Sequence, residues 1–121
     1  YYRHLDVHAM REAAGYLVGE HDFKSFCSIH AQVETTVRRI YALTVDNKED
    51  IITIRITGNG FLYNMVRIIA GTLIRVGTGE YKPEQIPEIL AAKDREMAGP
   101  TAPAHGLTMI GIEYEDLEEK S

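Results

Sequence analysis

The chain has one cysteine, Cys27, among 121 residues. No internal disulfide is possible, and a lone thiol fits a reducing, cytoplasmic compartment. Without a second cysteine, and with five scattered histidines, a structural zinc site has no ligand set. No apolar run approaches the length needed to cross a bilayer. No basic-then-apolar leader reads as a signal peptide. Catalytic signatures are missing too. There is no Ser-His-Asp or Cys-His set, no carboxylate pair at acid–base spacing, and no Lys and Ser/Thr spacing of a phosphate-binding loop. The first residue is Tyr1 rather than Met, which reads as an excerpt from something longer.

What is present is ordinary for a soluble globular protein: 45% hydrophobic and 26% charged residues. The length suits one domain, residues 1–121, with a single core. The net charge of −5 argues mildly against a nucleic-acid partner. The sum hides a pattern, however. Much of the acid lies in Asp46–Asp50 and Glu113–Glu119, while Arg38, Arg39, Arg55, Arg67 and Arg75 lie between. A basic face on an acidic domain is therefore open, and a phosphate responds to local field more than to net charge.

Hydrophobic periodicity supplies the elements. Asp6 is placed to cap a helix whose inner face is Met10, Ala13, Ala14, Leu17 and Val18, with Gly19 closing it. Gly19–Phe23 reads as a turn, and Asp22 as the cap of a short helical piece carrying Phe23, Phe26 and Cys27. Alternation from Val33 to Val45, a polar turn at Asp46–Asp50 and a return at Ile51–Thr57 predict a long antiparallel hairpin. In the first strand Val37, Arg39, Tyr41, Leu43 and Val45 share one face, and in the second Ile52, Ile54 and Ile56 do. A strongly apolar helix from Phe61 to Arg75 follows Gly58-Asn59-Gly60. Pro83 opens another helix, with Ile86, Ile89 and Leu90 inward. The Gly/Pro-rich stretch Ala98–Gly106 is a loop. Leu107–Tyr114 alternates as a third strand, and residues 115–121 read as a frayed tail. The order helix-strand-strand-helix-helix-strand predicts an α+β sandwich: an antiparallel sheet of at least three strands with helices on one face.

Few side chains stand out. Arg67 is a cation inside an apolar helix, on a stripe with Asn64, Gly71 and Arg75. A buried guanidinium requires a partner. Its alternatives are a structural ion pair, a charge snorkelling to the rim, or an arginine aimed at a carboxylate or phosphate. Arg38 and Arg39 point to opposite faces of a strand, so one is solvated or bound to phosphate. Asp6 and His8 are two apart, which does not make neighbours on a helix, and Asp6 is needed as the cap.

One stretch, Asn59-Gly60-Phe61-Leu62-Tyr63-Asn64-Met65-Val66-Arg67-Ile68-Ile69-Ala70-Gly71, resembles the second half of the TruA-type tRNA pseudouridine synthases. Gly19-Glu20-His21-Asp22-Phe23, Thr35-Thr36-Val37-Arg38-Arg39-Ile40, Leu90–Arg95 and Gly99–Leu107 fall in that family's order. The resemblance covers nearly the whole chain. It implies the C-terminal part of an enzyme that isomerises uridine in the tRNA anticodon stem-loop, at positions 38 to 40. It implies a homodimer with two similar α+β halves per subunit, and no metal or organic cofactor. An aspartate nucleophile lies in the family's first half, and nothing here replaces it. Asp6-Val7-His8-Ala9 echoes that motif but lacks its glycine and falls at the family's helix start. Arg67 matches the arginine that pairs with the nucleophile. Leu107 matches an apolar residue of the base pocket, Arg38 a hairpin-strand arginine on RNA backbone or in structural pairing, and Asn64 a more variable position. The rival readings are a non-catalytic protein-interaction module and a separate RNA-binding module.

Overall fold

The structure, a computed structural model, describes residues 5–27, 35–48, 51–61, 64–99 and 110–116. The first helix, α1, spans Val7–Leu17 and is capped as expected, Asp6 accepting from the Ala9 N–H at 3.0 Å. It ends where Gly19 adopts φ +108°, a conformation that suits glycine. Met10, Ala13, Ala14 and Leu17 are buried, whereas Val18 is exposed.

Gly19–Asp22 is not a turn. It is a short strand, β1, paired antiparallel with residues 37–40. A four-residue edge strand containing Gly, Glu, His and Asp has no hydrophobic alternation to reveal it, and only its partner defines it. A single 3-10 turn, Lys24–Phe26, follows. Its cap position is Phe23 rather than the expected Asp22, which lies one residue earlier and accepts from the Lys24 N–H and the Thr36 hydroxyl. Phe23, Phe26 and Cys27 enter the core as predicted.

The hairpin comprises β2, Val37–Lys48, and β3, Ile51–Gly58. Pairing continues to Lys48 opposite Ile51, so Asp46–Lys48, expected in the turn, belong to the strand. The predicted single face of β2 is also corrected. Ile40 pairs with Gly58 but Ala42 pairs with Thr57, which leaves Tyr41 as the extra residue of a bulge. Ile40, Leu43 and Val45 therefore face the core, while Val37, Arg39 and Tyr41 face outward. Ile52, Ile54 and Ile56 share the inner face of β3 as expected.

The second helix, α2, spans Met65–Gly77. It begins later than Phe61 because Gly60 and Asn64 have φ of +125° and +61°, outside the right-handed helical region. Its end meets the start of α1: the Asp6 N–H donates to the Gly77 carbonyl at 2.9 Å. A 3-10 turn, Pro83–Gln85, leads into α3, Ile86–Ala92, with Ile86 and Ile89 buried. The last strand, β4, is Ile110–Asp116, so Glu115 and Asp116 lie in the sheet rather than in a tail. It runs parallel to β3, Ile52 opposite Ile110 and Gly58 opposite Asp116. The sheet is thus mixed, in the order β1-β2-β3-β4. A parallel neighbour requires a crossover, which α2 and α3 provide.

One continuous core fills the space between helices and sheet. Each fully buried Phe, Leu, Ile or Met contributes about 1.5–3 kcal/mol. β1 covers β2 only as far as Ile40. Beyond it, Arg11 on α1 donates to the Val45 carbonyl at 2.7 Å and gives that edge a partner. No helix among the described residues is long and apolar enough to cross a membrane.

Buried Ser25 joins three segments. Its hydroxyl donates to the Ile89 carbonyl at 2.7 Å and accepts from the Asp94 N–H at 2.7 Å. Ser25→Ala leaves both groups without this partner, and urea unfolding is expected to show a loss of about 2 kcal/mol. A loss below about 0.5 kcal/mol would show that water replaces the hydroxyl.

Candidate functional site

The site is built at the end of the sheet where β2 starts and β3 finishes. Asn59 fixes this end. Its side-chain oxygen accepts from the Arg39 N–H at 2.8 Å, and its own N–H donates to the Arg39 carbonyl at 3.0 Å. One residue thus continues the ladder after the strand has turned away, a local use of an asparagine side chain. Gly58 must lack a side chain here. A Cβ would meet the Arg39 carbonyl oxygen at 2.9 Å and the Phe61 ring at 3.1 Å. Phe61 in turn packs edge-on against Tyr114 of β4, with ring centroids 5.6 Å apart. The exit from β3 is therefore fixed to both neighbouring strands, and α2 starts from it.

Arg67 is the third residue of α2. The structure exposes it, against the expectation of a buried cation. The helix turns its broad apolar face inward through Met65, Val66, Ile68, Ile69, Leu73 and Val76, all buried, and leaves Arg67 outside.

The other four central arginines have acceptors. Arg39 pairs with Glu20 at 2.9 Å, Arg55 with Glu113 at 2.8 Å and Arg75 with Glu80 at 2.8 Å. Arg38 folds its Nη1 onto the carbonyls of Thr35 and Val37, at 2.8 and 2.7 Å. Among the described residues, Arg67 alone of the five has no acceptor. Its position makes this notable. The first turn of α2 contains no acidic residue, and a cation there opposes the positive end of the helix dipole. Two positive features coincide, and both favour an anion.

Asn64 and Arg67 lie at the start of α2, and Arg38 lies at the start of β2 with its Nη1 on backbone carbonyls. Asn64 immediately precedes α2 in a left-handed conformation. Leu107 lies outside the described residues. The role of Asn59 in holding the Arg39 backbone was not singled out from sequence; its signal was the Gly-Asn-Gly strand exit. Among the described residues no three His, Cys, Asp or Glu side chains gather as metal ligands.

Comparison with known proteins decides the family. The profile of the family described as "tRNA pseudouridine synthase" matches residues 13–115. The chain belongs to the tRNA pseudouridine synthase family. It is 59% identical over 110 residues to the tRNA pseudouridine synthase A of Brevibacillus brevis, a match covering 91% of this chain and 45% of that protein. Its identity to the namesake of Bacillus pumilus is 54% over 112 residues, covering 93% and 45%. For that of Ruminiclostridium cellulolyticum it is 56% over 111 residues, covering 91% and 45%. The chain therefore spans less than half the length of these relatives.

Cys27 is buried in the core. Burial, followed by the nearby Asp22 carboxylate, pushes its thiol above the ordinary value. The folded form thus favours the neutral thiol. That stability is present below the unfolded pKa and is lost as pH rises through the higher folded one. Iodoacetamide at pH 8 is expected to label Cys27 at least about tenfold more slowly in the native protein than in urea. Equal rates would show an accessible thiol.

Proposed function

We propose that this chain is the C-terminal part of a tRNA pseudouridine synthase, acting on uridines of the anticodon stem-loop, with Arg67 as the cation that pairs with the nucleophilic aspartate. The aspartate comes from the portion of the protein outside this chain. The observation that carries the reading is the exposed Arg67, without an acceptor among the described residues, in a first helical turn that contains no acid. A surface arginine has no need of that location, and a carboxylate arriving there gains from both the guanidinium and the dipole.

In this mechanism Arg67 keeps the aspartate ionised and oriented, since an adjacent cation favours the charged form. The carboxylate attacks the ribose C1′ and the glycosidic bond to N1 breaks; the uracil turns, its C5 attacks C1′ and releases the carboxylate, and loss of the C5 proton with protonation of N1 completes the isomer. Uridine and pseudouridine are isomers, so the reaction needs no oxidant and no cofactor. Arg67 touches the nucleophile and not the uracil. Its fork fixes which carboxylate oxygen faces the sugar. Leu107 would line the base pocket. Arg38, whose Nη1 is engaged by Thr35 and Val37, would present its remaining donors to RNA phosphate, and Asn64 would lie beside the same substrate. The whole enzyme would act as a homodimer in the cytoplasm.

Two outcomes test this reading. The chain alone is expected to form no pseudouridine in unmodified tRNA, because it lacks the nucleophile. In a polypeptide of the relatives' full length carrying this sequence, Arg67→Ala should lower kcat by about a thousandfold or more, with KM for tRNA within about threefold. Unimpaired turnover by Arg67→Ala would sink the proposed role.

A further inference from the structure

The chain leaving β3 reaches back along β2 only as far as Arg39, whose N–H and carbonyl are both taken by Asn59. Strand alternation turns the Val37 carbonyl to the same edge, where β3 has already ended at Gly58. Arg38 serves that edge with its own side chain. Its Nη1 donates to the Thr35 carbonyl at 2.8 Å and to the Val37 carbonyl at 2.7 Å. Both bonds use Nη1. They leave Nε and Nη2, which lie side by side on the guanidinium and match two oxygens of a phosphate. A guanidinium anchored in this way has less freedom to lose on binding.

Half of this cradle lies outside the sheet ladder. The last pair between β1 and β2 is Asp22 opposite Val37, so Thr35 precedes every cross-strand pair. Its neighbour Thr36 ties the segment down. The Thr36 carbonyl accepts from the Phe23 N–H at 3.0 Å, and its hydroxyl donates to Asp22. Asp22 is itself held. The same carboxylate oxygen accepts from the Lys24 N–H at 3.1 Å, and the other lies 3.8 Å from the Lys93 ammonium. Asp22 also adjoins His21, the cross-strand partner of Arg38. A carboxylate so close to a phosphate contact repels the ligand. Its place there calls for a benefit that outweighs the repulsion.

We infer that Asp22 and Thr36 preorganise Arg38 for an RNA phosphate: their bond fixes the segment whose carbonyls hold Nη1, and so sets the Nε–Nη2 edge before the RNA arrives. The inference rests on the proposed function, in which Arg38 contacts RNA phosphate. Asp22 and Thr36 are positioning residues. They act on the cradle of the arginine and not on the RNA.

The test measures binding of unmodified tRNA to a polypeptide of the relatives' full length carrying this sequence, across a salt series and well below its melting temperature. Thr36→Val keeps the shape and removes the hydroxyl, whereas Thr36→Ser keeps the hydroxyl. Asp22→Ala removes both the acceptor and the negative charge. Charge alone predicts tighter binding by Asp22→Ala, so the sign of its effect is informative. Thr36→Val and Asp22→Ala are each expected to weaken binding about three- to tenfold and to reduce the slope of log K against log salt by up to about one, as for a lost phosphate contact. Thr36→Ser is expected to bind within about twofold of wild type, since the bond to Asp22 is preserved. In Thr36→Val, kcat at saturating tRNA should stay within about twofold, because binding and not chemistry is affected.

Tighter or unchanged binding by Asp22→Ala, or equal losses in Thr36→Val and Thr36→Ser, would overturn the inference. Arg38→Ala separates this failure from that of the reading beneath it. If Arg38→Ala weakens binding and lowers the salt slope while Thr36→Val does neither, the clamp is wrong and the phosphate role of Arg38 stands. If Arg38→Ala binds as wild type, that role falls and the clamp with it.

Discussion

Burial of α2 against the sheet constrains the rest of the chain. Ten of its thirteen residues are buried: Met65, Val66, Ile68–Leu73, Val76 and Gly77. Such a helix has almost no solvent face, so its ends and its few outward positions are determined by everything around it. Its start is set by Asn59 on the Arg39 backbone, and its end by the Gly77 carbonyl on Asp6. Gly77 also receives Met10, whose sulfur would lie 2.8 Å from any added Cβ. With rotation and position fixed, Arg67 is left outward by exclusion. An interior where Ile54, Ile56, Ile68, Ile69 and Leu73 are fully buried would not accept its charge.

The charge that cannot enter the core is then available for chemistry. Surface pairs such as Arg55 with Glu113 contribute little, because both partners remain hydrated. Their effect here is selective: they occupy Arg39, Arg55 and Arg75, while Arg38 is held by backbone carbonyls. Of these five central arginines, the one without an acceptor among the described residues is at a helix start, where the local field already favours an anion. An acidic chain, with a net charge of −5, thus still presents a positive element at the start of α2.

Much of this was legible in the residues. The Asp6 cap, the hairpin, the inner isoleucines of β3 and the family all follow from patterns of side chains. What was not legible depends on pairing across the chain. Tyr41 sits in a bulge, and period-two counting cannot detect one extra residue whose neighbours are both compatible with a strand. β1 is too short and polar to announce itself. The parallel direction of β4 depends on the crossover and not on its own alternation. Arg67 was placed inside because its neighbours in sequence are apolar, although the third residue of a helix can lie outside a buried stripe. The bond from Gly99 to Thr72 joins residues 27 positions apart, and no local signal encodes it.

The proposed role of Arg67 is to hold an aspartate ionised. The most direct measurement is a titration of that aspartate by carbon-13 NMR in a polypeptide of the relatives' full length, with Arg67 intact and with Arg67→Gln. With arginine present the carboxyl pKa is expected to lie at least about one unit below the usual 3.9, returning towards that value when the guanidinium is removed. The same pKa in both proteins would contradict it.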